Sequence, residues 1–251
     1  MKVPNIIGIH GAIGSGKDTL AKLMLMLIAN KDLKPEFSLE ESLNDRVLKE
    51  LELYSNWKIK KFAGKLKLIA SILTGHSIEK FEDRDFKNSE LDSEWNNVTE
   101  IFSADAILTK SESITVRQFM QKLGTDALRN NLNLNVWINA LWADYKSLND
   151  IDMIASSSGF KLEIEEIYPN WIITDLRFSN EAQSIKQKGG ILISIQRPFY
   201  STVQPNAHAS ETELNDYPFD YVIKNDGDLN QLLEKTKNLL KILRLLNQFS
   251  V

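Results

Sequence analysis

A chain of 251 residues with 43% hydrophobic and 25% charged content holds enough apolar material for a substantial core, arranged as one large domain or two small ones. A formal net charge of −4 argues against a protein that coats nucleic acid, so any anionic ligand has to be met by a local cluster of basic groups. The absence of cysteine excludes disulfides, thiolate zinc sites and Cys nucleophiles, and fits a reducing compartment.

The opening residues, Met1 to His10, show neither the charged start and long apolar run of a signal peptide nor a membrane span, so the cytoplasm is the expected location. Val3 to His10 is rich in Ile and reads as a buried strand that meets a tight turn at Gly11. From Lys17 onward, Leu20, Leu23, Met24, Leu27 and Ile28 recur at helical spacing, giving the order strand, glycine turn, helix. Asp32 to Leu53 is charged, lacks glycine and reads as an amphipathic helical insertion with no legible function. Trp57 to Phe62 is a second strand, followed by a helix carrying Leu66, Ile69, Ala70 and Leu73.

Glu82 to Ser113 is polar and weakly patterned, which predicts a long excursion over the surface, part of a mobile substrate-binding flap. Thr115 and Gln118 form a capping box that opens a helix with Val116, Phe119, Met120 and Leu123 on its apolar face. A further helix spans Val136 to Tyr145. Ser156-Ser157-Ser158-Gly159 reads as a hairpin tip or a flexible lid. Trp171 to Thr174 is a short apolar run ending in Asp175, followed by a helix from Ser179 to Lys188, a Gly189-Gly190 break, and a strand from Ile191 to Gln196. Such alternation implies parallel strands joined by helical crossovers. Tyr221 to Ile223 is a last short strand. Asp228 and Gln231 cap a C-terminal helix whose leucines pack either on the core or on another subunit, which leaves a homodimer open.

The segment from Gly11 to Asp18 (Gly11-Ala12-Ile13-Gly14-Ser15-Gly16-Lys17-Asp18) matches the phosphate-binding P-loop pattern in the strand-to-helix context the pattern needs. Glycines let backbone N–H groups turn toward one point, the helix adds its positive end, and the Lys17 ammonium reaches the outer phosphates. Asp18 stands where such loops usually carry the Ser or Thr that meets Mg²⁺, so the metal is expected through Asp18, Thr19 or water. Asp175 closes a parallel strand at the end where ligands of such sheets bind, and can serve as the second acid near Mg²⁺ or as a turn residue. The chain has seven arginines, and of these Arg117 and Arg177 lie in motif-like stretches where a planar bidentate donor suits phosphate. The histidines His10, His76 and His208 have no metal-ligand spacing, and no Ser/His/Asp motif is visible.

Four stretches together resemble the deoxynucleoside monophosphate kinases of tailed bacteriophages. These are Gly11 to Thr19 with its Gly-Lys-Asp-Thr ending, Val116 to Asp126 followed by Trp137, Asp175 to Glu181, and His208-Ala209-Ser210-Glu211. The resemblance implies an α/β fold of the P-loop NTPase type. That fold has three layers, α/β/α, with a parallel central sheet, is nucleoside-monophosphate-kinase-like, and carries helical substrate flap and lid insertions. It implies one kinase domain over residues 1–251, with a substrate-binding insertion near 63–147 and a lid or loop region near 197–218.

The implied activity is Mg²⁺-dependent phosphoryl transfer from ATP to a deoxynucleoside monophosphate, in the host cytoplasm, with small nucleotides as partners and no stable nucleic acid or membrane. By the same resemblance Gly11, Gly14, Ser15, Gly16, Lys17, Asp18 and Thr19 hold ATP, and Asp18, Thr19 and Asp175 lie near the metal. Arg117, Gln121 and Thr125 face the monophosphate, Arg177 lies between the substrates, Phe62 and Lys67 touch the acceptor, and Arg129 and Trp137 are further candidates for substrate binding. Trp137 also reads as core, Gln121 as a packing residue, and Glu181 as a first-turn helix acid. A phosphate-binding loop does not name its acceptor, so a kinase of another phosphorylated small molecule remains an alternative, as does an ATPase acting with nucleic acid.

Overall fold

The computed structural model describes residues 3–32, 39, 43–102, 107–148, 166–198 and 213–246. The chain divides into two compact units, one formed by Met1–Lys61 with Trp142–Val251 and the other by Phe62–Leu141.

The first unit is built on a fully parallel sheet. Its strands are β1 (Ile6–His10), β2 (Trp57–Lys60), β5 (Asn170–Ile173), β6 (Ile191–Gln196) and β7 (Tyr221–Lys224), in the spatial order β2-β5-β1-β6-β7. Every residue of β1 is buried, as expected of a central parallel strand covered on both faces. Ile7 and Ile9 point into a core shared with α1 (Lys17–Asp32), α2 (Asp45–Tyr54) and α8 (Leu229–Ile242). On the opposite face lies α7 (Ser179–Gln187), and Gly8 admits it: a Cβ there would sit 2.7 Å from Ile185 Cδ1 and 3.1 Å from Leu192 Cδ2. The result is three layers, helices on both sides of a parallel sheet, as the sequence predicts.

Packing rather than propensity holds α1 in place. Leu20, Leu23, Met24 and Leu25 are completely buried, each stabilising by about 1.5–3 kcal/mol relative to exposure. Of the charged stretch expected as a helical insertion, residues 33–38 and 40–42 lie outside the described residues, and its later part forms α2, which the Asn44 side chain caps by accepting from Arg46 N at 2.9 Å. Leu48 and Leu51 of α2 join the same core as α1. In α8, Leu232, Leu239 and Leu240 are likewise buried in this core, with Asp228 accepting from Gln231 N at 2.8 Å as its cap.

The second unit begins with α3 (Gly64–Thr74) and includes α4 (Arg84–Asn88), the antiparallel hairpin β3 (Asn97–Phe102) with β4 (Ile107–Glu112), α5 (Val116–Gln121) and most of α6 (Val136–Trp142). Regular structure within 82–113 differs from the weakly patterned excursion expected there. The hairpin strands carry Lys, Glu, Thr and Asn between their apolar residues, and Val98 is exposed, so their alternation lacks the apolar density that marks a strand in sequence. The capping box at Thr115 forms as expected. Beyond α5 the helix continues over Lys122–Asn130 with wider turns of the i→i+5 type, and Gly124 lets it approach α3, since a Cβ there would lie 2.7 Å from Leu66 Cδ2. Phe81, Leu91, Ile114, Val116 and Phe119 form the core of this unit.

The helix expected over Val136 to Tyr145 ends at Trp142. The serine-rich segment at 156–159, most of the region at 197–218, and the His208–Glu211 stretch fall outside the described residues.

Removing the Thr115 hydroxyl is expected to cost the fold about 1 kcal/mol, the usual worth of an N-cap. Urea denaturation of Thr115→Ala measures this, and an unchanged midpoint would show that the cap adds nothing.

Candidate nucleotide site

The site in the first unit follows from register. Gly8 pairs with Ile173 in the parallel ladder of β1 and β5, and the same offset continued past this last pair matches His10 with Asp175. A hydrogen bond confirms that alignment: His10 Nδ1 lies 3.0 Å from the Leu176 carbonyl. The glycine loop and Asp175 therefore share the carboxyl end of the sheet, at the point where the chain order reverses around β1.

The loop itself is held by close backbone approach. At Gly11 a Cβ would fall 2.4 Å from the Ile195 carbonyl oxygen and 2.5 Å from Ser15 Oγ, distances no side chain tolerates. Gly14 and Gly16 adopt φ of 77° and 99°, backbone that L-residues rarely occupy. Ser15 N donates to Ala12 O at 3.1 Å, and Leu20 N to Gly16 O at 2.8 Å as α1 begins. Ser15 is buried and its Oγ meets no hydrogen-bond partner among the described residues. Lys17 opens α1, and its ammonium donates to both Gly11 O and Ala12 O at 2.7 Å, which keeps it at the mouth of the loop.

Around this loop stand the remaining predicted groups of the unit. Asp18 is largely exposed and lies 3.6 Å from Lys61 Nζ, while Thr19 is half-buried in the first turn of α1. Asp175 is half-buried and Arg177 exposed. In the first turn of α7, buried Glu181 turns back to accept from Arg177 N at 2.9 Å and Phe178 N at 3.1 Å, fixing the backbone that carries the guanidinium. Glu181 thus acts as the first-turn acid its position suggests.

The other predicted residues all belong to the second unit. Arg117, Gln121 and Thr125 recur every four residues along the continuous helical stretch from Val116 to Asn130, forming one stripe. Arg117 donates through Nε and Nη2 to Asn88 Oδ1 at 3.2 and 3.1 Å. Arg129 is buried, as is Lys67, whose ammonium pairs with Glu82. Phe62 is buried, and Trp137 is buried with its indole N–H donating to Gly124 O at 2.9 Å. The indole edge of Trp137 is thereby committed to holding the widened helix.

Three residues at the loop escape sequence reasoning. His10 has no metal-ligand spacing in the sequence, yet it is buried, bonds Leu176 O, and stacks on Phe219 at 5.2 Å between ring centres. Asn225 follows the last strand and donates from Nδ2 to Ser15 O at 2.9 Å across 210 positions of chain, while Lys61 answers Asp18. The only hint of Asn225 in the sequence is a polar residue directly after a short strand.

Residues 5–236 match the family model described as deoxynucleotide monophosphate kinase. The chain belongs to this family. Among its relatives, the deoxynucleotide monophosphate kinase of Enterobacteria phage T4 is 31% identical over 139 residues, covering 55% of this chain and 51% of the relative. That of Escherichia phage RB69 is 27% identical over 137 residues, covering 55% and 49%. The chain spans about half the length of the curated relatives it matches.

In this family member, burial pushes the His10 pKa below its ordinary 6.5; the bond to Leu176 O opposes that shift, and the Lys17 and Arg177 charges add to it. Well above pH 6.5 the ring is neutral in both folded and unfolded chains and contributes nothing to pH dependence. As pH falls through 6.5 the unfolded chain takes up the proton first, so stability drops until the folded pKa is reached. Melting curves of wild type and His10→Asn between about pH 7.5 and 5.5 test this. The wild type is expected to lose more stability on acidification than the variant, and parallel losses would show that His10 contributes none of it.

Proposed function

We propose that this chain moves the γ-phosphoryl group of ATP onto a deoxynucleoside 5′-monophosphate, giving ADP and a deoxynucleoside diphosphate. The observation that carries the proposal is the glycine loop with Lys17 at the same sheet end as Asp175, in a member of the deoxynucleotide monophosphate kinase family. A phosphate oxygen of the acceptor attacks the γ-phosphorus while its bond to the β-phosphate bridging oxygen breaks, with charge spread over the equatorial oxygens. Alignment and charge neutralisation, rather than a strong base, drive such a transfer.

Lys17 and the amides of Gly11 to Thr19 hold the ATP phosphates. Arg177, on backbone braced by Glu181, neutralises charge on the transferring group. Arg117, Gln121 and Thr125 take the acceptor monophosphate, and Arg129, Lys67, Phe62 and Trp137 shape the acceptor side from the same unit. The oxygen donors Asp18, Thr19 and Asp175 fit Mg²⁺. Mg²⁺ takes one or two carboxylates together with waters and substrate phosphate oxygens, the kind of donor set these residues offer. Bound there, Mg²⁺ would screen the β- and γ-phosphates.

Free nucleotides as partners and the cytoplasm as location go with this reading, supported by the acidic balance of the chain. Among the described residues no helix is long and apolar enough to cross a membrane.

Coupled assay of ADP formation with Mg-ATP across all deoxy- and ribonucleoside monophosphates decides the matter. Turnover with at least one deoxynucleoside monophosphate is expected, and ATP turnover that needs DNA and ignores every monophosphate would overturn the proposal. In the same assay Lys17→Ala is expected to lower kcat by more than about 10²-fold, by analogy with loss of a transition-state donor. A near-wild-type rate in that variant would remove Lys17 from the machinery.

A further inference from the structure

We infer that Asn225 is a positioning residue for the nucleotide phosphates, aiming the Gly16 amide into the loop by holding the Ser15 carbonyl. The inference rests on the phosphate-binding role given to the loop above. Asn225 lies just past β7, three strands' width from β5, and is 8% exposed. Its own backbone N donates to Gln196 O at 2.7 Å, which fixes it to the end of β6, and its Nδ2 donates to Ser15 O at 2.9 Å.

The consequence follows from peptide geometry. The Ser15 carbonyl and the Gly16 N–H belong to one planar trans unit, so they point in opposite directions. Drawing the oxygen toward Asn225 and the sheet turns the N–H away from the sheet, toward the side on which a phosphate cradle opens. Gly16 completes the arrangement: φ is 99°, and a Cβ there would lie 2.7 Å from Asn225 Nδ2. A side chain at 16 would thus displace the amide that orients its peptide. The role needs a donor, because a carbonyl oxygen can only accept. The isosteric Asp would set an acceptor against an acceptor and add negative charge beside the phosphates.

Calorimetric titration with ATP and with inorganic tripolyphosphate, alongside thermal melts, tests wild type, Asn225→Ala and Asn225→Asp. Both variants are expected to weaken both ligands, Asn225→Ala by about 10-fold, since small misplacements of a binding group cost affinity and rate steeply. KM for ATP should rise in step, while KM for the acceptor stays within about twofold. Variants that melt earlier yet bind both ligands as wild type does would overturn the inference, leaving Asn225 a structural role only. Equal rises in both KM values would do the same. Should Asn225→Asp fail to fold, Asn225→Ala carries the test without an added charge. Tripolyphosphate separates the two questions: wild type that binds it but transfers nothing to a monophosphate would sink the phosphotransfer proposal, and the Asn225 comparison would still be read on tripolyphosphate.

Discussion

Strand β1 sits between β5 and β6 because the chain leaves it for β2 and β5 on one side and reaches β6 and β7 on the other. At a reversal of this kind the loops beyond the two central strands part, and a crevice opens at their carboxyl ends. Everything chemical in the first unit depends on that placement. The glycine loop leaves β1 there, Asp175 and Arg177 leave the neighbouring strand, and His10 ties the two exits together through the Leu176 carbonyl. Had β1 been an edge strand, the same motif would have formed a glycine turn with nothing facing it.

Close backbone approach is the second constraint. Gly11 runs against the Ile195 carbonyl of β6, and Gly16 runs against the Asn225 amide beyond β7, so the loop is fastened to the two strands on the far side of β1 from Asp175. Rigid support on that side suits phosphoryl transfer, where donors that need not reorganise contribute most of the stabilisation. The cost is visible in the Ser15 hydroxyl, buried without a partner among the described residues.

Much of this was legible in the sequence, for reasons that differ by element. The parallel strands announce themselves because strands buried on both faces are continuous apolar runs, and the capping boxes because they need fixed residue types at fixed spacing. The β3–β4 hairpin was missed since its exposed, charged residues erase the alternation. The widened helix over Lys122–Asn130 left no trace beyond Gly124, whose missing Cβ lets it lie against Leu66. At the site, the glycines and Lys17 were readable because their spacing is local. His10 and Asn225 were not, since their partners lie 166 and 210 positions away and only the folded sheet brings them together.

Arg177 is exposed on a braced turn while Arg117 reaches Asn88, so the two arginines set apart by their planar donor groups occupy different environments. What unites the candidate acceptor residues is instead the four-residue period from Arg117 through Gln121 to Thr125, which crosses from ordinary to widened helix. A wider turn advances about 4.4 residues rather than 3.6, so residues four apart drift in opposite senses on the two sides of the junction. Thr125 therefore returns toward the line set by Arg117 and Gln121 instead of winding away from it. On this argument the irregular helix is what keeps a donor at 125 on the same stripe as the guanidinium at 117.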